Sequence, residues 1–167
     1  LAAPKYEYKN YTIPAGIENI AEGAFATIES LESLVITSDV KNIFKYAFKN
    51  CPNLTSVILP TSEILIEEAA FEGCQKLTTI ENMDSLTYFA PYVFANTAIT
   101  NVSIDNAVIA EGAFSNITRL DTVTIGANTE IGKYAFANNS NLVNVTINTN
   151  EIGAYAFENC TKLQSLD

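Results

Sequence analysis

The stretch that decides the fold is Ile43-Phe44-Lys45-Tyr46-Ala47-Phe48-Lys49-Asn50-Cys51-Pro52-Asn53-Leu54-Thr55-Ser56-Val57-Ile58-Leu59-Pro60. Its second half alternates: Val57 and Leu59 face one way, Ser56 and Ile58 the other. Period two with β-branched residues indicates a short strand. Its first half instead packs Ile43 and Phe48 around a tight bend. The stretch then recurs. A small residue followed by Phe stands at Ala24-Phe25, Ala47-Phe48, Ala70-Phe71, Val93-Phe94, Ala113-Phe114, Ala135-Phe136 and Ala156-Phe157, with successive Phe residues 23, 23, 23, 20, 22 and 21 apart. Self-similarity at such a period marks a repeat architecture.

Other positions keep step with the Phe. Five residues before it stand Ile20, Ile43, Ile66, Phe89, Ile109, Ile131 and Ile152. Six after it come Leu31, Leu54, Leu77, Leu120, Leu142 and Leu163, with Ile99 one place early in the fourth unit. Nine after it are Leu34, Val57, Ile80, Val123, Val145 and Leu166. At the N-terminus Tyr8, Tyr11, Ile13 and Pro14 match the second half of a preceding unit. The reading is one domain over residues 1–167: a half-repeat at 8–19, then seven repeats starting near 20, 43, 66, 89, 109, 131 and 152. Asn recurs two residues after the Phe (Asn50, Asn96, Asn116, Asn138, Asn159), and Asn tolerates the left-handed conformation that a tight bend needs.

One strand, two bends and a returning segment make one coil. A lone coil cannot bury its apolar side, but stacked coils share a continuous core. Strands of successive coils then pair in parallel, about 4.8 Å apart, and the Phe rings stack into a ladder that removes much apolar area from water.

The pattern Ile-x-x-x-Ala-Phe-x-x-Cys-x-x-Leu-x-x-Val-x-Ile-Pro resembles the BspA-like leucine-rich repeat. The best copies are Ile43 through Pro60 and Ile152-Gly153-Ala154-Tyr155-Ala156-Phe157-Glu158-Asn159-Cys160. The resemblance covers residues 8 to 167 and implies a right-handed leucine-rich-repeat solenoid. It would carry a parallel β-sheet on one side, turns, short 3-10 or strand segments on the other, and little regular helix. It also implies a place among secreted and surface proteins of host-associated bacteria and some protozoa, linked there to adhesion and matrix-protein binding, and it brings no catalytic residues.

Composition narrows the classes. Nine Lys plus Arg stand against 19 Asp plus Glu, a net charge of -10. That balance argues against nucleic acid, whose phosphates call for a basic stripe, and against docking on anionic lipid. No apolar run approaches the roughly 18 residues that span a bilayer, so no membrane insertion is expected. With no His and no Cys-x-x-Cys pair, a zinc site is excluded, and no other metal or cofactor site is suggested. Imidazole-based catalysis has no residue to use, and no acids cluster at fixed repeat positions. The expectation is no enzyme. The chain begins at Leu1, as a processed product would.

Cys51, Cys74 and Cys160 stand three residues after the Phe, where other units have Ile28, Thr97, Ile117 or Asn139. A position shared with Ile reads as a buried structural thiol. Cys51 and Cys74 fall in neighbouring coils, close enough for a disulfide, although parallel side chains in a ladder oppose it. The third unit has Asn82 where an apolar strand residue belongs, which is read as a bulge that turns Met83 inward. Asn-x-Ser/Thr sequons begin at Asn10, Asn53, Asn101, Asn116, Asn138, Asn144 and Asn159, and chance accounts for them in a chain so rich in these residues.

Alternation also identifies the open face of the sheet. Its candidate contact residues are Val35, Ile58, Glu81, Ser103, Thr124 and Thr146, with Val35 and Ile58 its exposed apolar pair. Tyr46, Tyr92, Tyr134 and Tyr155, two before the Phe, form a second stripe, read as structural stacking. The expected function is a cell-surface or secreted binding module for a host or matrix protein or a glycan. The alternative is a spacer domain of a larger surface protein. The expected state is a monomer, or end-to-end contact through a C-terminus that carries no closing cap.

Overall fold

Wherever the sequence alternates, a short strand forms. The first half of the chain carries β1 (Asn10–Thr12), β2 (Asn19–Ile20), β3 (Ser33–Val35), β4 (Asn42–Ile43), β5 (Ser56–Ile58), β6 (Leu65–Ile66) and β7 (Thr79–Glu81). The second half carries β8 (Tyr88–Phe89), β9 (Asn101–Ile104), β10 (Val108–Ile109), β11 (Thr122–Ile125), β12 (Glu130–Ile131), β13 (Asn144–Ile147) and β14 (Ser165–Leu166). The structure, a computed structural model, describes residues 9–149 and 151–166; Tyr8 and Asp167 lie outside the described residues.

All pairing is parallel. On one side β1-β3-β5-β7 and β9-β11-β13-β14 form two four-stranded sheets, and on the returning side β2-β4-β6 and β8-β10-β12 form two three-stranded ladders. The result is a parallel β-solenoid of about six turns, the turns that seven phased Phe residues bound. Its one helical segment among the described residues is a 3-10 turn at Met83–Ser85.

Between the two sheets runs the core. Phe25, Phe48, Phe71, Phe94, Phe114 and Phe136 are each buried to within 1% exposure, and Phe157 is partly buried against them. Ring centroids step 5.1 Å from Phe25 to Phe48, 5.1 Å to Phe71, 5.7 Å to Phe94, 5.7 Å to Phe114, 5.4 Å to Phe136 and 5.4 Å to Phe157.

The bend around each Phe has its own ladder. Residues two before and two after the Phe are left-handed: Gly23 and Thr27, Tyr46 and Asn50, Ala69 and Gly73, Tyr92 and Asn96, Gly112 and Asn116, Tyr134 and Asn138, Tyr155 and Asn159. This geometry aims alternate N–H groups at the next coil. Around Phe25, Gly23 donates to the Lys45 carbonyl (3.0 Å), Phe25 to Ala47 (2.7 Å) and Thr27 to Lys49 (2.8 Å). The same triplet repeats as far as Tyr134, Phe136 and Asn138, which donate to Ala154, Ala156 and Glu158. Asn and Gly suit such positions; Tyr there is a local strain of a kind held only by surrounding packing.

The third unit departs from expectation. Asn82 does not make a bulge. It is itself left-handed (φ 61), donates Nδ2 to the Leu59 carbonyl at 2.7 Å, and starts the 3-10 turn. Met83 is only half-buried, and Leu86 takes the place in the core. The polar side chain bonds to backbone, so the chain closes a turn where a bulge would have left that carbonyl without it.

Candidate functional site: the open sheet face

The inward residues of the long strands are locked into the core, so the outward ones make the face. Register places Thr12, Val35, Ile58 and Glu81 side by side on β1, β3, β5 and β7. It likewise aligns Ser103, Thr124 and Thr146 on β9, β11 and β13. The six residues singled out from sequence therefore fall into two straight rows. Val35 and Ile58 are half-buried by their neighbours, while Glu81, Ser103, Thr124 and Thr146 are exposed. Glu81 supplies the charge of its row, next to an apolar pair.

The two rows are not continuous. No strand pairing joins β7 to β9, nor β6 to β8, so both ladders break between the same two coils. Only part of the repeat crosses this seam. Ala69, Phe71 and Gly73 donate to Pro91, Val93 and Ala95, and Ala98 donates to Leu77 at 2.9 Å. At the break, Thr78, Thr79, Ile80, Met83, Ile99, Thr100 and Asn101 line a notch of about 220 Å³. The irregular units were visible in the sequence; their effect, a split sheet, was not.

The cysteines are free and buried. Cys51 Sγ donates to the Phe25 carbonyl (3.1 Å), Cys74 Sγ to Phe48 (3.2 Å) and Cys160 Sγ to Phe136 (3.3 Å). Asn139, at the same repeat position, donates Nδ2 to both Phe114 (2.9 Å) and Phe136 (2.8 Å). The position thus satisfies a carbonyl that the bend leaves over. The neighbouring Cys51 and Cys74 thiols shift each other in opposite directions, Cys74 up, with burial adding to it, and Cys51 down, and burial pushes Cys160 up. All three are placed as structural donors to the bend.

The tyrosine stripe stacks only in part. Tyr134 and Tyr155 stack at 5.2 Å, whereas Tyr46 takes the Lys49 ammonium over its ring at 5.0 Å. Tyr92 donates its hydroxyl to Glu111 at 3.2 Å, and desolvation, then the Glu111 charge, pushes its phenol up. The coils after Tyr46 and Tyr92 carry Ala69 and Gly112 in the stripe, so no ring is there to stack on. A Cβ on Gly112 would run into the Tyr92 ring.

A second exposed apolar strip escaped the sequence reading. Leu65, Tyr88 and Val108, each one residue before an inward Ile or Phe, are 45%, 42% and 37% exposed on the returning side. Period two through β6, β8 and β10 was the signal for them. Among the described residues no group of three or more His, Cys, Asp or Glu is placed to hold a metal ion. Three of the acids face lysines of adjacent coils, in Lys9–Glu32 (3.2 Å), Lys45–Glu68 (2.9 Å) and Lys49–Glu72 (2.7 Å).

Comparison with known proteins agrees with this architecture. A leucine-rich repeat protein from Bacteroides ovatus superimposes with a TM-score of 0.72 at 28% identity, over 94% of this chain and 48% of that one. This chain thus spans about half its length. The T. pallidum leucine-rich repeat protein TpLRR superimposes with a TM-score of 0.80 at 22% identity, over 96% of this chain and 80% of its own. No curated protein matches. The model of the BspA type leucine-rich repeat region matches in 6 copies across residues 4–109 and 106–167, and with the phased Phe ladder this places the chain in the BspA-type leucine-rich repeat family.

Proposed function

We propose that the chain is a non-catalytic binding module of a cell-surface or secreted protein, recognising a protein or glycan through its open sheet face. The observation that carries this reading is the row Val35–Ile58–Glu81 on three adjacent strands. It sets an apolar pair beside a carboxylate on a rigid surface, the combination of anchor and polar rim that binding faces use. Membership of a repeat family, whose solenoids offer extended surfaces, supports it. So does the weight of structural work already assigned to the cysteines and the Phe ladder, which leaves the face free for contact.

The test is a titration of the chain over a panel of immobilised matrix proteins and glycans, repeated with Val35→Asp and Thr124→Asp. Saturable binding by the parent, weakened at least tenfold by a charge on the face while melting temperature holds, is expected. Binding indifferent to both substitutions would move the site elsewhere. The second reading, a spacer within a larger surface protein, is favoured by the chain spanning about half of its Bacteroides ovatus relative. It gains if the whole panel fails to bind.

A further inference from the structure

The seam offers more than a gap. Along β7, Thr79 N–H donates to the Thr55 carbonyl and the Glu81 carbonyl accepts from Leu59, both on the β5 side. Alternation then turns the N–H and C=O of Ile80 toward the seam. On β9, the Thr100 carbonyl accepts from Thr122 and the Ile104 carbonyl from Gly126, both on the β11 side, so the backbone groups of Asn101 and Ser103 face the seam from the other bank. In an unbroken ladder Ile80 would bond to Asn101 and Ser103. Among the described residues no backbone or side-chain hydrogen bond reaches these groups across the gap.

Unpaired strand edges are templates for pairing with another chain. The floor between them is apolar: Ile80, half-buried where Leu34, Val57, Val123 and Val145 of other coils are buried, together with Met83 and Ile99. The rim is acidic on the β7 side, where Glu81 and Asp84 are exposed, and no lysine or arginine lines the notch. Widening the seam breaks no strand pairing, because among the described residues Ala98–Leu77 and the bend ladder are the backbone ties across it.

Resting on the reading of this face as a binding surface, we propose that the seam is a strand-accepting site for an extended, basic peptide segment of a partner protein. The peptide main chain pairs with Ile80 on one bank and with Asn101 and Ser103 on the other. A small apolar side chain sits on Ile80, Met83 and Ile99, and a lysine or arginine meets Glu81. Such strand addition draws affinity from main-chain bonds and selectivity from alternate side chains.

The test is selection of a random linear twelve-residue phage library on the intact chain, followed by synthesis of the enriched peptides and of twins N-methylated at alternate amides. Enriched sequences should alternate β-branched with basic residues and shift the amide resonances of Ile80, Asn101 and Ser103. N-methylation, which keeps side chains but removes main-chain donors, should weaken binding more than tenfold, and Glu81→Lys at least tenfold. Failure to enrich any peptide, equal binding of the N-methylated twins, or an oligosaccharide shifting these same amides when no peptide does would overturn the proposal. Peptides that instead shift Thr124 and Thr146 would remove the seam site while leaving the sheet-face reading standing.

Discussion

The thiol of Cys51 donates to the carbonyl of Phe25, one coil earlier, at 3.1 Å. That bond explains why the donors Cys, Asn and Thr recur at one repeat position, which Ile28 and Ile117 fill by volume alone. The bend before it is closed by left-handed residues whose N–H groups all point to the next coil, which leaves the Phe carbonyl seeking a donor from a side chain. Cys supplies one in the volume of a small apolar residue, and Asn139 supplies two.

Cys51→Ala should therefore destabilise the fold by about 1–3 kcal/mol, the cost of leaving a buried acceptor unpaired. Urea denaturation monitored by circular dichroism checks this. Native-state alkylation should modify none of the three thiols before unfolding; rapid labelling at neutral pH would show that they are not the buried donors described.

The buried Cys160 thiol gives a pH dependence of defined sign. Burial holds it above its ordinary range, whereas in the unfolded chain it ionises at about pH 8.5. Above that pH the unfolded state binds fewer protons than the native state, so stability falls as pH rises; below it the contribution is fully present. Urea midpoints at pH 7.5 and 10 should drop further for the parent than for Cys160→Val. Equal drops would show that this thiol is not held protonated by the fold.

Phe114 has no exposed surface and lies 5.4 Å from Phe136 and 5.7 Å from Phe94. Phe114→Ala should cost about 3–5 kcal/mol and lower the melting temperature by many degrees or abolish cooperative unfolding. A shift of a degree or two would mean that the rings are not a shared core.

Most of the architecture was legible in the residues because seven copies of one pattern must solve one packing problem. Phe, Ile and Leu at fixed phase reveal the core, and Asn two residues after Phe reveals one of the two left-handed corners. The other corner was hidden, because Tyr46, Tyr92, Tyr134 and Tyr155 occupy it and Tyr is no marker of positive φ. The candidate face was legible as alternation, and its residues do align in register. Its division was not. Asn82 and the short spacing from Phe94 to Ile99 announced an irregularity, but whether strands pair across it depends on the paths of two neighbouring coils at once. Local pattern carries no such information.

The split between β7 and β9 underlies both the two-row site and the strand-accepting seam, and amide hydrogen exchange followed by NMR tests it most directly. The account predicts that Ile80 and Ser103 amides exchange orders of magnitude faster than Val57 and Thr124, which sit in paired strands at matching positions. Uniform slow exchange across all four would mean that the sheet is continuous, and would contradict it.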